Sequence, residues 1–262
     1  MLGSIAGDVI GAPYEFNGIK TTDFPLFGRD SVPTDDTVLT CAVAEVLLDG
    51  GAYGEALRRW GRRHPGMSWG GRFRQWLFDD RMGPYGSFGN GSAMRVGPVG
   101  WARDSVEDVL AEARRTALPS HDHPEGIKGA QATALAVFLA RTGVDKQSIR
   151  EEVAGRFGYD LARTVDRIRP AYRFDETCQR TVPEAIVAFL DSNSFEHAVR
   201  LAVSLGGDAD TLACITGGVA EAHYGGVPPA IAAKVTARLA PDMADVVGRF
   251  ARRFGVPAAG VR

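Results

Sequence analysis

Apolar residues in this chain recur at helical spacing and almost never at every second position. Asn90-Gly91 is the nearest approach to a hairpin signal, and it follows Pro84, Gly86 and Gly89, not a strand-like run. The core therefore has to be built from helices. The pattern predicts an all-α, single-domain protein over residues 1–262, with no clear linker, internal repeat or low-complexity segment. Helices are expected over Val38–Leu48 (closed by Gly50-Gly51), Tyr53–Arg63, near Phe73–Phe78, and over Val106–Thr116 and Pro124–Ala140. Further ones are expected over Gln147–Phe157, Leu161–Ile168, and from a first-turn Pro183 to Leu190. Ser194 caps Phe195–Ser204, Gly225-Gly226-Val227-Pro228 stops Leu212–Tyr224, and Ile231–Leu239 and Met243–Phe254 follow.

Gly3, Gly7 and Gly11 recur every four residues and line one face of a first helix, which lets another helix approach closely. That helix is expected to end near Pro13 and to deliver Glu15 just beyond it. Residues 17–33, punctuated by Gly18, Pro25, Gly28 and Pro33, read as a long loop of the kind that is functional or disordered.

Two short acidic segments carry the chemistry. Thr34-Asp35-Asp36-Thr37 lies near the start and Gly207-Asp208-Ala209-Asp210-Thr211 near the end. Each precedes an apolar helical run, so each can cap a helix and complement its dipole. Each also holds more acid than a cap requires. If the fold joins them, the carboxylates repel one another unless a cation lies between them. A donor set of oxygen alone, with no histidine or cysteine, suits Mg2+, Mn2+ or Ca2+ and not zinc.

A formal charge of −2 over 262 residues gives no global sign of nucleic acid or of a membrane surface. Cys41, Cys178 and Cys214 form no CxxC pair and read as reduced core residues. No apolar run approaches the roughly 20 residues of a membrane helix. The chain opens into Met1-Leu2-Gly3-Ser4 with no basic leader, so no signal peptide and a cytoplasmic location are expected.

The landmarks have an order. Gly7-Asp8-Val9-Ile10-Gly11-Ala12-Pro13-Tyr14-Glu15 comes first, then Thr34-Asp35-Asp36-Thr37 and Gly89-Asn90-Gly91-Ser92-Ala93-Met94-Arg95. Ser120-His121 and Gly206-Gly207-Asp208-Ala209-Asp210-Thr211 complete the set. In this order they resemble the ADP-ribosylglycohydrolase family, of the dinitrogenase-reductase-activating glycohydrolase type, from about Leu2 to about Gly225. The tract Thr181-Val182-Pro183-Glu184-Ala185-Ile186 looks like the family as well. The resemblance implies a compact orthogonal helical bundle that holds two divalent ions, Mg2+ or Mn2+, at the mouth of a cleft. It implies hydrolysis of the bond joining ADP-ribose to a modified side chain, with arginine the first choice. Serine-linked and O-acetyl-ADP-ribose, or a modified base, are the other compatible linkages. It places Thr34, Asp35, Asp36, Asp208, Asp210 and Thr211 at the metal positions. Glu15 then takes the place of a catalytic glutamate over the cleft, and its plain reading is a solvated loop carboxylate. Asp36 or Asp208 would orient or deprotonate the water. The implied partners are an ADP-ribosylated protein or an ADP-ribose-containing small molecule, with no membrane, and a monomer is expected.

Asn90-Gly91-Ser92 fits phosphate or ribose recognition, since glycine lets backbone amides approach an anion; a plain turn is the alternative. Arg95 can pair with a phosphate or form a buried salt bridge. His121 falls at the family's Ser/Thr-His position and is expected to contact ADP-ribose. Tyr85, Phe88, Tyr172 and Phe174 are candidates to stack on adenine or to pack. Two other classes remain. One is a non-catalytic ADP-ribose-binding relative, against which the intact acidic motifs count. The other is a phosphohydrolase, whose Asp-x-Asp needs a preceding strand that Gly206-Gly207 does not supply.

Overall fold

The computed structural model describes residues 1–257, so the last five residues of the expected domain lie outside the described residues. In chain order the helices are α1 (Leu2–Gly11), α2 (Asp35–Asp49), α3 (Tyr53–Arg63), α4 (Gly71–Phe78) and α5 (Gly91–Met94). Next come α6 (Gly97–Ala102), α7 (Val106–Ala117), α8 (Pro124–Arg141), α9 (Lys146–Phe157) and α10 (Val165–Ile168). The set closes with α11 (Cys178–Asp191), α12 (Phe195–Val203), α13 (Ala209–Tyr224), α14 (Pro229–Thr236) and α15 (Pro241–Phe254). The described residues contain no strand, only an isolated antiparallel bridge between Gly89 and Thr177. No helix among them is long and apolar enough to cross a membrane.

The centre of the fold is α13, buried from Ala209 through Ala222. α1 lies against it, and glycine sets how closely. A Cβ on Gly7 would fall 1.9 Å from the Ala213 carbonyl oxygen, and one on Gly217 would fall 2.2 Å from the Gly3 oxygen. Any side chain there collides with backbone that cannot move aside. The Met1 ammonium pairs with the buried Glu221 carboxylate at the far end of α13. α11, α12 and the alanine-rich α8 pack around the same axis and complete one continuous apolar core.

Asp8 locks α2 in place. Its buried carboxylate accepts from Thr34 N (3.0 Å), Thr34 Oγ1 (2.7 Å), Thr37 N (3.1 Å) and the Thr37 hydroxyl. Thr34 is also the N-cap of α2 and accepts from Asp36 N. The residues from 17 to 33 are irregular, as expected, but pinned. Arg200 donates to the carbonyls of Thr22 and Phe24, Arg238 to that of Ser31, and Lys20 to that of Tyr172.

Three expectations need correction. Pro183 does not start a helix; it lies inside α11, which begins at Cys178. Tertiary bonds anchor those earlier turns: Cys178 N donates to Phe88 O (2.9 Å) and Asn90 N to Glu176 O (2.7 Å). A proline there withholds an N–H from one helical bond and crowds the Gln179 carbonyl one turn back, a cost these anchoring bonds offset. The helix expected over Leu161–Ile168 shrinks to α10, and the helical turns of α5 and α6 were not expected.

Candidate active site

The helix starts aim the acids inward. Asp35 and Asp36 occupy the first turn of α2, Asp208 is the N-cap of α13 and Asp210 lies in its first turn. Unlike Thr34, Asp208 makes no side-chain cap bond. Glu15 follows a short 3-10 turn, Ala12–Tyr14, that continues α1 past Pro13. It is half-buried, not a solvated loop carboxylate. Glu15, Asp35, Asp36, Asp208, Asp210 and Thr211 all line one cleft of about 380 Å³. That size suits a nucleotide-scale ligand.

Within this wall Glu15, Asp208 and Asp210 each offer an oxygen, all within 4.8 Å of one another. Thr211 Oγ1 donates to Asp36 Oδ1 at 3.3 Å, while Asp36 Oδ2 is buried with no partner. Burial first, and then neighbouring carboxylates, push up every acid of the group. Glu15 rises to about 8 and the Asp208 carboxyl to about 6, and Asp35, Asp36 and Asp210 stand well above the usual carboxylate range. Among the described residues no arginine or lysine stands close enough to pull them down. Buried oxygen donors with one orphaned carboxylate oxygen and no counter-charge fit a hard divalent cation. Thr34 stands behind this wall, with its hydroxyl given to Asp8.

The other side of the cleft is a glycine-rich turn. Asn90 is buried and both donors of its amide are taken, by Asp208 Oδ2 at 2.7 Å and Thr181 Oγ1 at 3.1 Å. It therefore orients an acid of the opposite wall. Gly91 lines the cleft. Ser92 does not, because its fully buried hydroxyl donates to Gly126 O at 2.7 Å. His121 lines the cleft, with Nδ1 2.8 Å from Ser120 Oγ. Burial, with help from Arg95, holds its imidazole well below the usual range and so neutral. Arg95 has no carboxylate partner. It donates through Nη2 to Thr116 O and Ser120 Oγ, and its Nε and Nη1 are buried without partners. Burial pushes it down to about 10, and it keeps its charge.

Of the aromatic candidates, Tyr85 and the exposed Phe88 line the cleft. Tyr172 is buried, packs over Gly207 and donates to Arg180 O. Phe174 is 44% exposed and stacks on Phe16, which is 72% exposed, with ring centroids 6.1 Å apart. Phe16 follows Glu15 directly, and Phe174 precedes Glu176, an exposed acid of the cleft wall whose charge reaches Glu15 and Asp208. Sequence reasoning missed Asp8, Phe16 and Glu176. Only Asp8 carried a signal, as a lone charge between glycines on a helix face that had to be buried.

A family model described as ADP-ribosylglycohydrolase matches residues 1–259. The ADP-ribosylhydrolase ARH3 of Mus musculus is 27% identical over 86% of this chain and 82% of its own. The ADP-ribosylarginine hydrolase Tri1 of Pseudomonas putida (strain GB-1) is also 27% identical, over 90% of this chain and 72% of its own. Among solved structures, an ADP-ribosylglycohydrolase-related protein complex superposes with a TM-score of 0.72 at 25% identity and covers 96% of both chains.

Proposed function

Because this chain belongs to the ADP-ribosylglycohydrolase family, we propose that it is a divalent-cation-dependent hydrolase that splits ADP-ribose from a modified arginine side chain. The observation that carries the reading is the convergence of Glu15, Asp35, Asp36, Asp208 and Asp210 in one cleft, where the charges acting on each of them are other carboxylates. Asp35, Asp36, Asp208, Asp210 and Thr211 are the residues to hold a pair of Mg2+ or Mn2+ ions. Thr34, tied to Asp8, keeps the first of these segments in place. Bound there, the ions supply positive charge that organises the ribose hydroxyls and a water and lets the surrounding carboxylates ionise.

The remaining chemistry belongs to the chain. Breaking the glycosidic bond builds positive charge at C1 of the distal ribose, and the ionised aspartates stabilise it. Asp36 or Asp208 orients the attacking water; Asn90 fixes the rotamer of Asp208 for that task. Glu15, whose partial burial and carboxylate neighbours favour its protonated form, raising it to about 8 before any cation is bound, is the group placed to pass a proton from its carboxyl to the leaving nitrogen. Asp8, buried behind Thr34 and Thr37, holds this machinery without touching substrate.

Arginine is favoured by what surrounds the entrance. Exposed Glu176 on the cleft wall gives it negative charge, and the exposed Phe16–Phe174 pair, next in sequence to Glu15 and close before Glu176, offers ring faces to a planar cation. The test is release of free ADP-ribose from an arginine-ADP-ribosylated protein with Mg2+ and then with EDTA. Release that EDTA abolishes is expected. Release only from a serine-linked substrate would keep the hydrolase and move the linkage. Release from neither substrate, by folded protein in Mg2+, would reject the hydrolase in favour of an ADP-ribose-binding protein.

A further inference from the structure

Ser120 lies between a cation and an imidazole, and its hydrogen bonds decide which nitrogen of His121 carries the proton. Ser120 is fully buried, and its backbone is fixed on both sides, N to Ala117 O and O from Ser87 N. Its hydroxyl has two neighbours within hydrogen-bond reach, Arg95 Nη2 at 3.1 Å and His121 Nδ1 at 2.8 Å. A guanidinium only donates, so Arg95 takes an acceptor lone pair of Oγ. The hydroxyl hydrogen then has one acceptor in reach, Nδ1. Were Nδ1 protonated instead, two donors would face one oxygen, and the serine hydrogen would be buried with nothing to accept it.

We infer that Arg95 and Ser120 form a relay that fixes His121 as a neutral imidazole with its proton on Nε2, presented as a hydrogen-bond donor into the cleft. Nε2 is the ring edge that faces the glycine turn. A Cβ on Gly91 would lie 3.2 Å from it, and one on Gly89 3.7 Å. The backbone of His121 is held in turn by its N–H to Ala117 O at 2.8 Å, and Gly126 at the head of α8 packs against its Cβ. The donor thus has a fixed direction and a fixed proton. Its partner is an acceptor oxygen of the substrate, phosphate or ribose, and this part rests on the ADP-ribosylhydrolase reading. Arg95 is a positioning residue here. It never reaches solvent, and it acts by occupying the serine lone pair and by disfavouring a second positive charge on the ring.

The test reads the ring itself. Nitrogen-15 NMR of ring-labelled His121 in the full chain should show the proton on Nε2. Ser120→Ala removes the donor to Nδ1 and should move the ring to the other tautomer or to a mixture of both. It should also weaken ADP-ribose binding by about tenfold, the scale of one oriented hydrogen bond. Ser120→Thr restores the hydroxyl and should restore both the ring signature and the affinity. A wild-type ring protonated on Nδ1, or an unchanged ring in Ser120→Ala, overturns the relay. If Ser120→Ala does not fold, the wild-type spectrum decides alone. A wild-type ring as expected in a protein that binds no ADP-ribose supports the relay and counts against the hydrolase reading.

Discussion

A carboxylate withdrawn from water among other carboxylates prefers its proton, and Glu15, Asp35, Asp36, Asp208 and Asp210 all share that condition. Its consequence for stability has a definite sign. Glu15 moves from 4.5 to about 8 and Asp208 from 3.8 to about 6 on folding. The folded chain therefore binds more protons than the unfolded one across that window. The stabilisation is present below about pH 4 and is lost as pH rises towards 8. With EDTA present, the melting temperature should fall between pH 5 and pH 8, and Mg2+ should raise it more at pH 8 than at pH 5. A metal-free melting temperature that climbs over this range would show that the acids are not coupled as described. Asp8 tests the scaffold behind them. Asp8→Ala leaves the buried donors of Thr34 and Thr37 unpaired and should cost roughly 3 kcal/mol by urea denaturation. A cost below about 1 kcal/mol would mean that water replaces the carboxylate freely.

Between α1 and α13 the contact is set by what glycine lacks. Gly7→Ala should lower stability by more than roughly 3 kcal/mol, because its Cβ meets the Ala213 carbonyl. It should also weaken cation binding, since α1 leads to Glu15 and α13 begins beside Asp208. Gly155 in α9 is the contrast, with nothing within 4 Å of an added Cβ. Gly155→Ala should gain up to about 1 kcal/mol from helix propensity alone. Paired urea titrations check both; equal effects at the two sites would sink the steric account. The close approach was legible from the Gly3-Gly7-Gly11 spacing, as were most helices, because core burial imposes a helical period on sequence. The start of α11 was not. Proline is a local signal, whereas the bonds from Cys178 and Asn90 that extend the helix back past it are long-range. Ser92 misled for the same reason. A hydroxyl in a glycine-rich turn looks available until Gly126 O is found above it.

On the scale of the molecule, a site made from both ends of the chain was legible because its residues are chemically conspicuous: repeated acids at two helix starts. What surrounds them was not legible. Glu176 is an ordinary surface residue in sequence, and only folding brings it to the cleft entrance, within reach of Glu15 and Asp208. If that entrance selects a cation, Glu176→Gln should slow release from arginine-linked substrate several-fold and leave affinity for free ADP-ribose unchanged. An equal loss on both would assign Glu176 to the nucleotide instead. The fold answers for one thing above all, that α1, α2 and α13 hold their acids together at the cost of mutual repulsion, which a bound cation would relieve. Mn2+ titration followed by electron paramagnetic resonance measures that directly. The wild-type chain should take up about two ions, and the Asp35→Asn/Asp210→Asn variant should lose at least one of them with its helical circular dichroism intact. A folded wild-type chain that binds no Mn2+, or a double variant that binds it as tightly, would contradict the account.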